Sequence, residues 1–278
     1  MREWSTVQPL AGRGISNRLF LVEADGERFV LRRHERWPYT ESGRSLAALE
    51  AEVHARVIAA GVPAPRVIAQ QPGAVLLEYL EGETLAEVEE REGAPAVAGG
   101  WRAAGAALAA VHALPESGCS SSWPADEILE NARRLSERGA ISPGLRDWLE
   151  TRAPALAASL GARPCRLLHG DPHPSNVLVR RSSNGWMLAA WLDWEASRPG
   201  DPAWDLARLE LGRRAEGLAV PAAFYDGYGP GLDRELLDSY ELVFQLRLAK
   251  RKLDPRVRFL SRAADRYLKG LEAARATG

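Results

Sequence analysis

Lysine is scarce in this 278-residue chain. Of its 36 lysine and arginine residues only three are lysine, and none of them precedes Lys250. Any site in the preceding residues that needs a long cationic side chain must therefore use arginine. Histidine is scarce as well, because the chain has five and none follows His173. A metal site built on several histidines would have to be assembled before that residue.

The chain also lacks an excess of charge of either sign. Its 36 basic residues nearly balance its 37 acidic residues, and the formal net charge is -1. This balance argues against a nucleic-acid or polyanion binder. With 46% apolar and 26% charged residues, the composition is typical of a globular protein and argues against disorder. The length allows a sizeable core and two lobes.

Long apolar runs and paired cysteines are missing too. The longest apolar stretch without acidic or basic residues, 103–115, is too short to span a bilayer, and the first residues form no apolar leader. We therefore expect no membrane partner. The only cysteines, Cys119 and Cys165, are far apart and lack the spacing of metal ligands. We expect both to be inert, with no disulfide framework, in a cytoplasmic protein.

The first eighty residues predict a small antiparallel sheet with one helix. Two apolar runs flank Asp25-Gly26, a strong hairpin signal. The region 46–60 repeats apolar residues at helical spacing and ends at Gly61, which predicts a helix. The predicted strands are 6–10, 19–22, 29–31, 67–69 and 74–79.

Beyond Gly82 the pattern is mainly helical. One island of predicted strands, at 165–168, 177–179 and 187–192, interrupts the helices. The predicted helices are 99–114, 126–138, 143–160, 235–252 and 254–274, and a further helix is expected to start near Pro202. The mixture predicts an α+β fold class.

The strand island contains the strongest chemical signal. Asp171 follows one strand, Asn176 begins the next, and Asp193 ends the strand after that. Antiparallel strands so close in sequence bring these three positions together. Amide and carboxylate oxygens suit Mg²⁺, which usually completes its shell with phosphate oxygens and water. Asp171 would then be available to accept or orient the proton of a hydroxyl group.

These residues lie in three motifs whose order and spacing resemble a known family. The motifs are His169-Gly170-Asp171 with Asn176 five residues later, then Leu192-Asp193-Trp194-Glu195, then the run GDPAWDLA at 200–207. Together they resemble the aminoglycoside phosphotransferase and choline kinase family. The resemblance covers nearly the whole chain and is weakest at 83–160 and 212–278.

The resemblance implies a bilobal protein-kinase-like fold. A small antiparallel-sheet lobe, 1–80, would bind the nucleotide, and a larger, mainly helical lobe, 81–278, would carry catalysis and the substrate. In this template Asp171 is the catalytic base, and Asn176 and Asp193 bind Mg²⁺. The turn from Gly12 to Asn17 would cover the phosphates of ATP, with donors from Ser16 and Asn17.

The template also needs a cation on the third strand, paired with a carboxylate on the helix. Arg32 follows the predicted strand directly, and Glu50 is its expected partner. A guanidinium fork suits bidentate contact with phosphate. Arg33 and Glu52 are the adjacent alternatives, and strand alternation is expected to direct only one of the two arginines towards the cleft.

Further residues take supporting roles from the resemblance. The segment 77–80 resembles the hinge between lobes, where backbone groups of Glu78 and Leu80 would meet the adenine. His169 is expected to hold the catalytic loop, and Asp205 to accept backbone N–H bonds from it. His173 and Glu195 are supporting residues whose contact with metal or substrate the sequence leaves open.

The resemblance implies a Mg²⁺-ATP-dependent kinase for a hydroxyl group of a small molecule. A choline-, thiamine- or amino-alcohol-like acceptor and an aminoglycoside- or macrolide-like acceptor both remain open, as do ATP against GTP and the oligomeric state. The alternative is a catalytically silent module that binds nucleotide. A metallo-hydrolase built on His169, Asp171 and His173 is disfavoured because no histidine follows to complete the metal site.

Overall fold

A computed structural model describes most of the chain. The described residues are 5–10, 17–34, 39, 43–119, 123–160, 163–230, 233–250 and 261–277. The predicted phosphate turn, with Ser16, therefore lies outside the described residues, apart from Asn17. None of the helices in the described part of the chain is long and apolar enough to span a bilayer.

The structure confirms the predicted α+β fold class. The strands are β1 (Thr6–Pro9), β2 (Asn17–Ala24), β3 (Glu27–His34), β4 (Val67–Gln71), β5 (Ala74–Glu78), β6 (Glu83–Thr84), β7 (Arg166–Leu168), β8 (Val177–Ser182), β9 (Gly185–Trp191) and β10 (Arg198–Gly200). The helices are α1 (Leu46–Ala59), α2 (Leu85–Glu92), α3 (Ala98–His112), α4 (Trp123–Glu137), α5 (Pro143–Leu160), α6 (Ala203–Ala215), α7 (Ala222–Tyr228), α8 (Arg234–Lys250) and α9 (Ser261–Thr277). Helices α2 and α7 were not predicted, and the predicted region 251–260 lies outside the described residues.

The amino-terminal strands form one antiparallel sheet in the order β1-β2-β3-β5-β4. Asp25 and Gly26 both have positive φ, 55° and 77°, between β2 and β3. This is the turn that matches the right-handed twist of a hairpin, and it explains why the Asp-Gly pair predicted one. The turn sets the register in which Asn17 lies opposite His34.

The two faces of this sheet have different partners. On one face Phe29 packs with Val22 and Ala24. On the other, Val30 packs against Ala47 of α1 and the β5 residues Val75 and Leu77. Because side chains alternate along a strand, the even-numbered residues of β3 face α1. The sequence therefore directs the residues at positions 32 and 34 to the helix.

Helix α1 buries one face, at helical spacing. The buried residues are Ala47, Glu50, Val53, His54 and Val57. Two of the five are ionisable, which is unusual for a helix packed on a sheet, since buried charges need partners. The partners of Glu50 come from β3, as described below, whereas Nδ1 of His54 lies 2.7 Å from the carbonyl oxygen of Pro65.

Contacts within the chain divide it into two compact units. The first unit comprises Met1–Leu114, Leu167–Arg198 and Ala219–Pro230, and the second comprises Pro115–Arg166, Pro199–Leu218 and Gly231–Gly278. The first contains the large sheet, α1 and the sheet β6-β8-β9. The lobe boundary expected near residue 80 stays a prediction.

The second unit is built from helices around an aromatic cluster. The ring of Trp204 on α6 lies 3.8 Å from that of Phe244 on α8, centroid to centroid. Arg247 lies over the Trp204 ring and forms two hydrogen bonds with Glu127 of α4, of 2.6 and 2.7 Å. A cation between an aromatic face and a carboxylate joins three helices at one point.

The expectation for the cysteines is wrong. Cys119 and Cys165 form a disulfide in the second unit, with their Cα atoms 5.7 Å apart. Backbone pairing brings the two segments together, because Glu116 N–H donates to the carbonyl oxygen of Cys165 and Pro115 forms a β-bridge with Arg166. The 46-residue separation in sequence concealed this pairing.

Candidate active site

The core of the candidate site is a buried arginine between two carboxylates. Arg32 on β3 donates from Nη1 to Oε1 of Glu50, at 3.0 Å, and to Oδ1 of Asp193, at 2.7 Å. Arg32 is 7% exposed and Glu50 is fully buried. The structure therefore joins β3, α1 and the segment after β9 through one guanidinium, all within the first unit.

The charges in this cluster stabilise one another. Burial opposes the charged form of Glu50, but Arg32 and then His34 and His54 outweigh it and hold the pKa of this carboxyl well below its usual value. Burial likewise opposes the charge on Arg32, yet Glu50 and Asp193 raise its pKa above the usual range. A buried cluster of opposite charges of this kind is costly to break from either side, because removing one partner leaves the other charge buried and uncompensated.

Strand alternation decides between the two predicted ion pairs, Arg32 with Glu50 and Arg33 with Glu52. Arg33 is exposed on the opposite face of β3. Glu52 is exposed on α1 and bonds Arg44. Of the alternatives left open by the sequence, the structure thus pairs Arg32 with Glu50.

A second cation, His34, lies two residues further along β3. Its Nε2 lies 3.1 Å from Oε2 of Glu50 and its Nδ1 lies 3.4 Å from Oε2 of Glu195. Burial disfavours the charged ring, but these two carboxylates outweigh it and raise the pKa of His34 to about 9. Asn17 donates from Nδ2 to the same oxygen of Glu195, at 2.6 Å. Asn17 therefore contacts Glu195 here, and its expected role as a phosphate donor stays a prediction.

His169 joins the catalytic loop to the segment after β9. Its Nδ1 accepts from the N–H of Asp171, at 3.3 Å, so Nε2 carries the proton and donates to the carbonyl oxygen of Leu192, at 2.9 Å. The ring is fully buried between Trp191 and Trp194. With both ring nitrogens hydrogen-bonded, His169 is poorly suited to be a metal ligand, which weakens the metallo-hydrolase hypothesis.

Asp171 and Asn176 are connected through the backbone of the catalytic loop. Asn176 Nδ2 donates to the carbonyl oxygen of Asp171, at 2.9 Å. The N–H of Leu192 donates to the carbonyl oxygen of Asn176, at 2.7 Å. These bonds place all three predicted catalytic positions within one hydrogen-bonded network, because Asp193 follows Leu192 directly.

Gly170 allows the two loops of this network to touch. Its φ is 83°, and a Cβ atom there would lie 2.0 Å from the carbonyl oxygen of Ala196. Only glycine satisfies both conditions without movement of the backbone. Ser197 adds a hydrogen bond from its Oγ to the carbonyl oxygen of His169, at 3.3 Å.

The chemistry of the donors fits Mg²⁺. Since Nδ2 of Asn176 is used within the loop, Oδ1 is the atom that can bind a cation, alongside the carboxylate of Asp193. Burial raises the pKa of Asp193, Arg32 offsets part of that effect, and Glu195 and Glu50 add to it. Carboxylates that crowd together favour a bound cation. Among the described residues no group of three or more His, Cys, Asp or Glu side chains could hold a metal.

Arg32 fits a phosphate for a related reason. Nη1 of Arg32 contacts the carboxylates of both Glu50 and Asp193. Its buried Nε has no hydrogen-bond partner among the described residues. A buried N–H without an acceptor costs free energy, and an anion that reached it would recover that cost.

The remaining predicted residues are Glu78, Leu80, His173 and Asp205. The backbone N–H of Glu78 donates to the carbonyl oxygen of Arg66, so a contact from Glu78 to adenine would use its own carbonyl oxygen. Leu80 is half-buried after β5. His173 accepts from the N–H of Ser175 through Nδ1, at 3.2 Å. Asp205 is fully buried on α6 in the second unit, and its expected role stays a prediction.

Sequence reasoning missed His34. A signal was present, since position 34 shares the face of Arg32 by strand alternation. The partner Glu195, however, lies far away in the sequence, and an isolated histidine after a strand indicates no particular role.

The chain is similar to known phosphotransferases in sequence and in structure. The sequence model described as the phosphotransferase enzyme family (APH) matches residues 6–238. The macrolide 2′-phosphotransferase MphH from Brachybacterium faecium is 21% identical, with 96% of this chain and 93% of that chain covered and a TM-score of 0.67. The ADP-bound aminoglycoside phosphotransferase APH(2″)-Ib is 14% identical, with 96% and 93% covered and a TM-score of 0.69. A choline/ethanolamine kinase family protein from Mesorhizobium loti is 19% identical, with 97% and 87% covered and a TM-score of 0.66.

Proposed function

Because the chain belongs to the phosphotransferase enzyme family, we propose that it transfers the terminal phosphoryl group of Mg²⁺-ATP to a hydroxyl group of a small molecule. The observation that carries the proposal is the hydrogen-bonded network of Arg32, Glu50 and Asp193, with Asp171 and Asn176 joined to it through the backbone. Phosphoryl transfer needs positioned charge more than covalent chemistry, and this network supplies charges of both signs at fixed positions.

Each residue has a distinct role in this proposal. Arg32 binds the phosphates of the nucleotide, and Glu50 holds its guanidinium in place. Asn176 and Asp193 bind Mg²⁺, which would neutralise negative charge on the phosphates. Asp171 orients the acceptor hydroxyl group and accepts its proton as the oxygen attacks.

Further residues would contact the base and the phosphates of the nucleotide. The carbonyl oxygen of Glu78 and the N–H of Leu80 would bind the adenine edge. Ser16 and Asn17 would donate to phosphate oxygens. Since backbone groups carry the base contact, GTP is an equally testable donor.

The acceptor class is the open part of the proposal. The three related structures are described as a macrolide phosphotransferase, an aminoglycoside phosphotransferase and a choline/ethanolamine kinase family protein. Identities of 21% or less do not carry any of these acceptors over to this chain.

The test is nucleoside diphosphate release from Mg²⁺-ATP and Mg²⁺-GTP. The acceptors are choline, ethanolamine, thiamine, macrolides and aminoglycosides. The variant Asp171→Asn keeps the shape of the side chain and loses the base, so we expect turnover to fall by about 10²–10⁴-fold. Asp147→Asn is the matched control, because Asp147 is an exposed acid on α5.

Three outcomes separate the hypotheses. Acceptor-dependent release that Asp171→Asn removes and Asp147→Asn keeps supports the kinase. Tight nucleotide binding without release, with every acceptor, supports the silent nucleotide-binding module instead. Failure to bind either nucleotide in the presence of Mg²⁺ would overturn both.

A further inference from the structure

We propose that His34 is a positioning residue for the segment that carries Asp193. It ties Glu50 on α1 to Glu195, two residues beyond Asp193, and so sets the geometry with which Asp193 meets the metal. The inference rests on the proposed function and assigns a role to two residues, His34 and Glu195, beyond that function.

The ring of His34 spans two carboxylates. Nε2 lies 3.1 Å from Glu50 and Nδ1 lies 3.4 Å from Glu195, and the residue is 3% exposed. A neutral imidazole has one N–H donor, whereas an imidazolium has two. A buried ring with a carboxylate oxygen near each nitrogen is therefore best suited to the charged form. Arg32, His54 and Asp193 are the further charged or titratable groups in this cluster.

Glu50 divides its two oxygens between the two cations of β3. Oε1 accepts from Arg32, and Oε2 faces His34. Because residues two apart on a strand point the same way, one carboxylate can hold both side chains. His34 thereby holds the carboxylate oxygen of Glu50 that Arg32 does not contact.

Glu195 is held from two neighbouring strands. Asn17 on β2 lies directly opposite His34 on β3, and both side chains reach Oε2 of Glu195. This arrangement assigns Glu195 the role of a tether to the sheet. The carboxylate that binds the cation remains that of Asp193.

The tether matters because the backbone of Asp193 is strained. Its φ of 65° and ψ of 58° lie in the left-handed region, which is unfavourable for a residue other than glycine. The structure holds this conformation from both sides, through the bond from His169 to the carbonyl oxygen of Leu192 and through the Glu195 tether. Removal of His34 would loosen one side without touching Asp193.

Two amide variants separate the two contacts of the ring. His34→Asn carries its amide nitrogen near the position of Nδ1 and can keep the contact with Glu195. His34→Gln carries it near Nε2 and can keep the contact with Glu50. His34→Leu removes both contacts at similar volume.

The principal measurement is the Mg²⁺ dependence of ADP binding by calorimetry, with kcat and KM measured alongside. For His34→Leu we expect the Mg²⁺ concentration at half-saturation to rise about 10- to 100-fold, as for other groups that hold metal ligands in place. Binding of ADP without Mg²⁺ should stay within about twofold, which is about 0.4 kcal/mol. We expect His34→Asn to keep more of the Mg²⁺ response than His34→Gln.

The controls address folding and coupling. His112→Asn alters another buried histidine, whose ring bonds Tyr228, and should leave the Mg²⁺ response unchanged. Glu195→Gln should weaken the response, and its effect should not add to that of His34→Leu, since both break the same tether. In the metal-free protein near pH 7, nitrogen NMR should find both ring nitrogens of His34 protonated.

The outcomes are distinct from those of the proposed function. If wild-type protein binds ADP with Mg²⁺ and the folded His34 variants all keep its Mg²⁺ dependence, the positioning role is wrong. A neutral His34 ring near pH 7 would also overturn it, even if His34→Leu fails to fold. If the wild-type protein binds no nucleotide at all, the proposed function itself fails.

Discussion

Arg32 donates a 2.7 Å hydrogen bond to Asp193, so the candidate phosphate ligand and a candidate metal ligand neutralise each other directly. Mg²⁺ and a nucleotide would share these two side chains, with the metal on the carboxylate and the phosphates on the guanidinium. The strength of nucleotide binding should therefore depend on the fork of nitrogens that only arginine carries.

The first prediction concerns this fork. Arg32→Lys keeps a cation beside Glu50 but cannot reach a carboxylate and a phosphate with separate nitrogens. We expect the Kd for ADP with Mg²⁺ to rise about tenfold or more, which corresponds to the loss of one charged hydrogen bond. Arg33→Lys is the matched control on the exposed face of β3. Equal affinities in the two variants would contradict a phosphate role for Arg32.

Removing the cation altogether should destabilise the fold. Arg32→Met leaves the fully buried Glu50 without its main partner. Breaking a buried ion pair from one side typically costs about 3–5 kcal/mol, and the remaining contact with His34 should keep the loss near the lower value. Urea unfolding at pH 7 measures it. A loss below about 1 kcal/mol, the usual worth of an exposed pair, would show that the pair contributes little.

The stability of the protein should fall in the alkaline range because of His34. Its pKa is about 9 in the folded protein against an ordinary value of 6.5, so the folded state holds this proton more tightly. The resulting stabilisation is complete below about pH 6.5 and is lost as the pH rises through 9, up to about 3 kcal/mol. The free energy difference between wild type and His34→Gln should therefore shrink between pH 6 and pH 9.5. A difference that stays constant over that interval would refute the raised pKa.

The disulfide should stabilise the second unit. It closes a loop between residues 46 apart, and the loss of such a cross-link costs about 2–4 kcal/mol. A reductant should lower the unfolding temperature of the wild type but leave the Cys119→Ser, Cys165→Ser double variant unaffected. If both respond alike, the disulfide is not formed in solution. The cytoplasmic location stays a prediction, and in that reducing compartment we would expect two thiols instead.

Gly170 offers a test of the close contact between the two loops. Gly170→Ala would combine a left-handed φ with a Cβ atom 2.0 Å from the carbonyl oxygen of Ala196. Gly61→Ala is the matched control, since its φ is +80° with nothing within 4 Å of the added atom. The control should lose about 1–2 kcal/mol from the backbone alone, and Gly170→Ala should lose more and also lose turnover. Equal losses in the two variants, with turnover kept, would mean that the loops do not need this contact.

The sequence predicts the fold class and most of the helices and strands, because apolar spacing and turn residues are local signals. The hairpin at Asp25-Gly26 and helix α1 follow this rule. Helix α2 carried a local signal as well, since Thr84 and Glu87 form a capping box at its start. Strand alternation is also a local signal, and it predicted that only one of Arg32 and Arg33 points into the site.

The parts that could not be predicted depend on contacts between distant segments. Asn17 is predicted to lie near the phosphates, a role that stays a prediction, and nothing in the sequence indicated the hydrogen bond from its amide to Glu195. Cys119 and Cys165 have no spacing that indicates pairing, because backbone pairing of two separate segments brings them together. The contact between His34 and Glu195 also joins distant segments. Each of these residues has at least one partner more than forty positions away.

The arginine at position 32 has a consequence for chemical labelling. Nucleotide acyl phosphates mark a binding site by acylating a lysine amine, and no lysine precedes Lys250. Although burial opposes its charge, Glu50 and Asp193 raise the pKa of Arg32, so the guanidinium stays protonated and is a poor nucleophile. The segments that form the candidate nucleotide site therefore offer amine-directed probes no lysine, and a dicarbonyl reagent that condenses with guanidinium groups is the better choice for labelling Arg32.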